Sequence, residues 1–176
     1  MPVFTHIPHD DFVAAVHALA DAIRDGGWTP DFIIGIGRGG LAPAVYLSHA
    51  TGLPMLSVDY SSQVEDFAEA PLVRLAERTR AGEKLLFLDD INDSGRTIAH
   101  IRGVLAAAGA TAAGATAAVM RFATLIDNVA SAERVDYRAR TIDRRETKDW
   151  FVFPWEAVAP TASIAQDAAE VPDRIA

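Results

Sequence analysis

The stretch that most constrains this chain is "KLLFLDDINDSGRTIAHI", Lys84 to Ile101. Leu85 to Leu88 is an unbroken apolar run, and Asp89 and Asp90 end it. A run without polar alternation suits a strand covered on both faces, as in a parallel sheet. A short polar loop follows, Asn92-Asp93-Ser94-Gly95-Arg96-Thr97. From Ser94 to Gly109, Ile98, Ile101, Val104, Leu105 and Ala108 recur at helical spacing. Strand, loop and helix in that order form half of a βαβ unit.

The same alternation recurs. Asp10 to Asp25 has helical periodicity and is closed by Gly26-Gly27. Phe32 to Ile36 is a second buried strand. "GGLAPAVYLSHATG" is a helix closed by Gly52, and "PMLSVDY" a strand. Ser61 to Ala70 reads as a loop, "LVRLAE" as a strand, "AGEK" as a turn and "ATAAVMRF" as a strand. "VDYRARTIDRRETKDWFVFPWE" holds one or two short strands between polar turns. The expectation is an α/β domain, a single, mainly parallel twisted sheet flanked by helices, over residues 1–156. The tail, 157–176, is rich in alanine with Pro160 and Pro172, and is either an appended helix or partly disordered.

At 176 residues the chain fits one domain. A net charge of −8 argues against a general nucleic-acid or anionic-membrane binder. With no cysteine, disulfides and thiolate metal sites are excluded. No secretory signal or spanning segment is evident, and cytoplasmic residence is the expectation. The five histidines are scattered without metal-ligand spacing. Arg134, Arg138, Arg140, Arg144, Arg145 and Lys148 alternate with acids and read as a solvated or subunit-facing surface.

Two stretches carry chemistry. Gly35-Ile-Gly37-Arg-Gly39-Gly40 satisfies the G-x-G-x-x-G pattern of dinucleotide sites, a weak signal alone. The Asp89 to Thr97 stretch is more specific. It delivers two carboxylates at the carboxyl end of a strand, where open α/β sheets bind ligands. Free N–H groups at the following helix start make an anion site. Ser94 and Thr97 add hydroxyls, and Gly95 permits close approach. Carboxylates beside a phosphate cradle suit a ligand with hydroxyls and phosphate, or a phosphate-bound Mg²⁺. A turn with an N-cap is the plainer alternative. A calcium loop is rejected because its twelfth position is Ile101 and a strand precedes it. No P-loop motif is present.

"LLFLDDINDSGRT" resembles the phosphoribosyl pyrophosphate signature of type I phosphoribosyltransferases. "IIGIGRGGLAPA" and "DWFVFPWE" resemble the first loop and the C-terminal base-binding segment of the bacterial and archaeal purine members. The resemblance spans Phe32 to Glu156. It implies that Asp89 and Asp90 meet the ribose hydroxyls and help place Mg²⁺. It implies that Asp93 to Thr97, with Ser94, Gly95 and Arg96, hold the 5′-phosphate, with Asp93 as general acid/base near N7. Arg38 and Gly39 then grip pyrophosphate, through a non-proline cis peptide. Trp150 stacks on the base, and Phe151 offers backbone groups from a small C-terminal hood, 148–156. Phe153 and Trp155 are assigned to the core, and the role of Glu156 stays open. Arg121 stands where purine members usually carry a lysine that reads the C6 oxygen. The 60–70 loop corresponds to a mobile cover. The implied partners are phosphoribosyl pyrophosphate and a purine base (guanine, xanthine or hypoxanthine), in a homodimer or homotetramer. The alternative is a non-catalytic regulatory protein that senses phosphoribosyl pyrophosphate or nucleotide.

Overall fold

The computed structural model describes residues 3–59, 69–110 and 119–169. Five strands, β2 (Phe32–Ile36), β3 (Met55–Val58), β4 (Leu85–Asn92), β5 (Met120–Asn128) and β6 (Tyr137–Ile142), form a parallel sheet in the order β3-β2-β4-β5-β6. β1 (Phe4–His6) and β7 (Trp150–Val152) pair separately, also in parallel. Helices α1 (His9–Asp25), α2 (Gly37–Thr51), α3 (Glu69–Arg80), α4 (Arg96–Ala107) and α5 (Thr161–Ala169) complete the order.

The strand β4 explains the layering. Leu85, Leu86, Phe87 and Leu88 are all fully buried. Successive side chains of a strand point to opposite faces, so the run feeds two cores. Leu86 and Leu88 join Phe12, Val16, Leu19, Ala44 and Leu47 beneath α1 and α2. Leu85 and Phe87 join Leu72, Leu75, Ile98, Ile101 and Leu105 beneath α3 and α4. Each such side chain contributes about 1.5–3 kcal/mol of burial.

The "LVRLAE" segment is a helix, not a strand. It lies within α3, where Leu72, Leu75, Ala76 and Thr79 are buried at helical spacing. Leu72, Leu75 and Ala76 already stand at i, i+3 and i+4 within that window, and Thr79 extends the period. "ATAAVMRF" is corrected in register: the described strand begins at Met120 and runs to Asn128. Its first residues and most of the 60–70 loop lie outside the described residues, while Glu69 and Ala70 open α3. The tail supplies α5 as far as Ala169. Strand β1 had no clear sequence signal, because its three residues acquire a partner only across the whole chain. Among the described residues no helix is long and apolar enough to cross a membrane.

The strand order locates the site. From β2 the chain moves outward to β3, then returns to place β4 on the other side of β2. The carboxyl ends of β2 and β4 therefore flank a topological switch point, where such sheets open a crevice.

Candidate functional site

Two helices start at that crevice. Helix α2 follows β2 directly, and Gly37 has φ 55°, a backbone that glycine tolerates best. Helix α4 starts after Gly95, whose φ is 87°. Neither N-cap residue caps its helix with a side chain. First-turn N–H groups thus converge on the crevice from two directions, each with the positive end of a helix dipole.

The glycines in "GIGRGG" serve packing as well. A Cβ on Gly40 would lie 2.1 Å from the Leu88 carbonyl oxygen. On Gly39 it would lie 2.5 Å from Asp90 Oδ2. On Gly35 it would meet the Ala44 Cβ and the Gly40 oxygen at 3.0 Å. The absence of side chains lets the start of α2 sit directly on the end of β4 and puts the Asp90 carboxylate beside the Arg38-Gly39 peptide. The expected cis peptide there is corrected: among the described residues no peptide bond is cis. Gly37 to Gly40 are already helical, and the reversal of backbone direction is met by the positive φ of Gly37 instead.

Asp89 and Asp90 are both partly exposed at the rim. Strand β4 continues through Asn92, so the pair sits within the strand rather than beyond it. Asp90 follows Leu86 and Leu88 onto the α2 side, while Asp89 follows Leu85 and Phe87 onto the other. The Asp90 N–H donates to Asp89 Oδ1 at 3.0 Å, and the Ile91 N–H to Asp90 Oδ1 at 2.7 Å. Burial, and then the charge of Asp90, push the Asp89 carboxyl well above its ordinary value. Among the described residues no group of three or more His, Cys, Asp or Glu could hold a metal alone. A single carboxylate nonetheless suffices for a Mg²⁺ that takes its other ligands from phosphate and water.

The raised Asp89 predicts a trade between stability and site chemistry. Folded Asp89 keeps its proton to a higher pH than the unfolded chain does. The folded state then binds more protons between the two values, and stability falls as pH rises through that window. Asp89→Asn should be more stable than the parent by about 1 kcal/mol at pH 7.5. The gain should vanish as pH falls toward about 4, the unfolded value. Denaturation curves across pH check this, and a gain independent of pH would contradict it.

Asp93 is held by a residue assigned from sequence to the surface. Arg144 is only 8% exposed. Its Nε–H donates to Asp93 Oδ1 and Oδ2 at 3.1 and 3.2 Å. Its Nη1 donates to the carbonyls of Thr147 and Asp149. Burial lowers the guanidinium to about 10, so it remains a cation at neutral pH. Asn128, at the end of β5, clamps the arrangement: Nδ2 donates to the Asp93 carbonyl at 2.9 Å, and Oδ1 accepts from the Arg144 N–H at 3.2 Å. A second clamp lies beneath. Asn92 Nδ2 donates to Asp127 Oδ1 and to the Glu133 carbonyl, and Asn92 Oδ1 accepts from Ser131. Gly95 must lie close to this clamp, since a Cβ there would be 2.7 Å from the Glu133 nitrogen. The available signal for Asn92, Asp127 and Asn128 was polarity at the ends of apolar strands.

A cavity of about 130 Å³ opens beside these groups. Asp90, Ile91, Arg144, Trp150, Phe153 and Glu156 contribute to its lining, along with Phe151. The Trp150 N–H donates to the Val3 carbonyl at 2.8 Å, and the Ile7 N–H to the Val152 carbonyl at 2.9 Å. Alternate residues of a parallel strand bond to opposite sides, so Phe151 turns its backbone groups away from β1. The guanidinium carbons of Arg140 and Arg144 lie 4.9 and 5.2 Å from the Phe151 ring centroid. Phe153 stacks on Trp155 at 4.8 Å within the apolar packing, as expected of both. Burial raises the Glu156 carboxyl, with Asp167 of α5 adding to the rise and the Phe153 N–H and Arg38 opposing it.

Ser94 is exposed and Thr97 half-buried at the start of α4, with Arg96 beside them. Arg96 donates from Nε and from its backbone N–H to Ser94 Oγ at 3.3 and 3.4 Å. The exception is Arg121. It pairs in register with Leu86, near the start of β5, whereas Asp89 pairs with Thr124. That places it four positions short of the Asp90 level, about 13 Å along the strand. There it bonds to the Tyr137 hydroxyl and lies 4.8 Å over the Trp28 ring. The difference arises because β5 does not end near Phe122 but has barely begun there.

Two helix starts and a carboxylate pair at one switch point, with an aromatic-lined cavity beside Asp90, suit an α/β protein to a phosphorylated ligand. Residues 8–159 match the phosphoribosyl transferase domain, and the chain belongs to that family. Among solved structures it is similar to a purine phosphoribosyltransferase from Pyrococcus horikoshii, at 24% identity and a TM-score of 0.62 over 89% of this chain and 97% of that one. It is similar to a Helicobacter pylori xanthine-guanine-hypoxanthine phosphoribosyltransferase at 18% identity and a TM-score of 0.63, covering 88% and 94%. It is also similar to a Neisseria gonorrhoeae protein with bound ppGpp, at 21% identity and a TM-score of 0.65, covering 97% and 98%. At such identities these likenesses concern the fold. Membership of the family removes the dinucleotide reading of the glycines.

Proposed function

We propose that the chain transfers 5-phosphoribosyl from phosphoribosyl pyrophosphate to guanine, xanthine or hypoxanthine, in purine salvage. The observation that carries this reading is that Asp90, against which Gly39 at the start of α2 packs, lines one cavity with Arg144 and Trp150, while the α4 start follows the same strand. The C1′–N9 bond forms as the bond from C1′ to pyrophosphate breaks, and the base nitrogen loses a proton. In this reading the α4 start, with Ser94, Gly95, Arg96 and Thr97, holds the 5′-phosphate. Arg38 and the N–H groups at Gly39 and Gly40 hold the leaving pyrophosphate. Asp89 and Asp90 meet the ribose hydroxyls and would hold a Mg²⁺, which when bound would supply positive charge beside the pyrophosphate. Trp150 stacks on the base, the outward backbone groups of Phe151 meet its edge, and Asp93 handles the proton at N7. A homodimer or homotetramer in the cytoplasm is part of the same proposal.

A second reading, a non-catalytic sensor of phosphoribosyl pyrophosphate or nucleotide, is favoured by one observation: the Asp93 carboxylate is already engaged by Arg144. The similar N. gonorrhoeae protein holds a nucleotide, ppGpp. Pyrophosphate release with Mg²⁺ and a panel of bases separates the two. Turnover with at least one 6-oxopurine is expected, and none with any base would sink the transfer reading.

A further inference from the structure

We infer that Arg144 is the specificity-determining residue of the base pocket, donating from Nη2 to an exocyclic oxygen next to N7 and so selecting 6-oxopurines. This inference rests on the purine reading above and assigns a residue that reading leaves open. With Arg121 at the far end of β5, Arg144 is the cation lining the cavity among the described residues. Its donors are nearly all committed. Nε–H serves Asp93, and Nη1 serves the Thr147 and Asp149 carbonyls. Nη2 is buried and has no hydrogen-bond partner. A buried, charged, unsatisfied donor is costly and is met in a complete site by an acceptor.

Base chemistry supplies that acceptor. N7 and the C6 substituent lie side by side on one edge of a purine. A carboxylate at N7 places its own ion-pair partner next to that edge. The Asp93–Arg144 pair, with 3.1 Å between Nε and Oδ1, thus presents an acceptor-and-donor couple complementary to N7–H and C6=O. An amino group at C6 offers donors instead and faces a cation, so adenine is rejected by the same atoms. The pair is fixed in place by Asn128, which bonds to the backbone of both partners.

The test compares hypoxanthine with unsubstituted purine, which lacks only the oxygen. For the parent protein kcat/KM should favour hypoxanthine by at least about a hundredfold, as for sites built to bond a substrate polar group. Arg144→Met should bring the ratio close to one, and Arg144→Lys should restore part of it. Parent selectivity below about threefold would overturn the inference. So would an Arg144→Met protein that loses activity equally toward both bases, since that is what a purely structural role predicts. If Arg144→Met does not fold, the parent ratio and Arg144→Lys decide. Calorimetry with inosine 5′-monophosphate and purine riboside 5′-monophosphate gives a readout without turnover. A preference for the former that the variant loses supports Arg144 even if no base is transferred, whereas equal or undetectable binding of both counts against it.

Discussion

Gly40→Ala should destabilise the protein by about 3 kcal/mol, close to the upper range of overpacking costs. The added Cβ would stand 2.1 Å from the Leu88 carbonyl oxygen, a backbone atom fixed in the central strand. Leu88 is fully buried and its strand neighbours are hydrogen-bonded on both sides. The clash is relieved only by lifting α2 away from β4, which opens the core around Ala44 and Leu47. Gly39→Ala provides the contrast. Its Cβ would meet the Asp90 carboxylate at 2.5–2.9 Å, and a side chain can rotate away. Stability should fall by roughly 1 kcal/mol or less, within the usual range for one substitution. The site should suffer, because Asp90 is displaced from the peptide assigned to pyrophosphate. Urea unfolding and turnover measured on both variants check the pair. Equal loss of stability would show that Asp90 is not free to yield.

That contrast also marks what the sequence could reveal. Leu85 to Leu88 announced a doubly covered strand because four successive apolar side chains leave no polar face. Asp89 to Thr97 announced a ligand loop because its carboxylates, hydroxyls and glycine follow such a strand directly. These signals are local. The residues that were misread owe their positions to distant partners. Arg144 lies among charged neighbours in sequence, and becomes buried only because Asp93 and Asn128 arrive from β4 and β5. The resemblance to purine members puts Arg121 just after its strand, while the register of β5 on β4 puts it near the strand start. The hood was legible as "DWFVFPWE" but not its partner: Phe4 to His6 complete it from the other end of the chain. Net charge is equally blind to position. The total of −8 hides a crevice where Arg38 and Arg144 face the partly buried carboxylates of Glu156 and Asp93.

Asp93 is where stability and chemistry are most tightly joined, and its variants should separate them. Side-chain exposures of 13% for Asp93 and 10% for Arg144 make this a buried ion pair. Removing one partner of such a pair strands the other charge and costs about 3–5 kcal/mol. Asp93→Ala should lose that much. Asp93→Asn keeps an oxygen acceptor for the Arg144 Nε–H and should lose clearly less. Activity should not follow that order. Asparagine cannot exchange a proton, so both variants should lose about 10²–10⁴-fold in kcat if Asp93 is the general acid/base. The double variant Asp93→Ala, Arg144→Met should be more stable than Asp93→Ala alone, because it leaves no uncompensated cation, and the coupling is read from the full cycle. Chemical denaturation and single-turnover kinetics on these proteins give both quantities. An Asp93→Asn protein with near-parental turnover would leave the ion pair as architecture only, whereas a stable but inactive one separates the proton-handling carboxylate from the salt bridge that holds it.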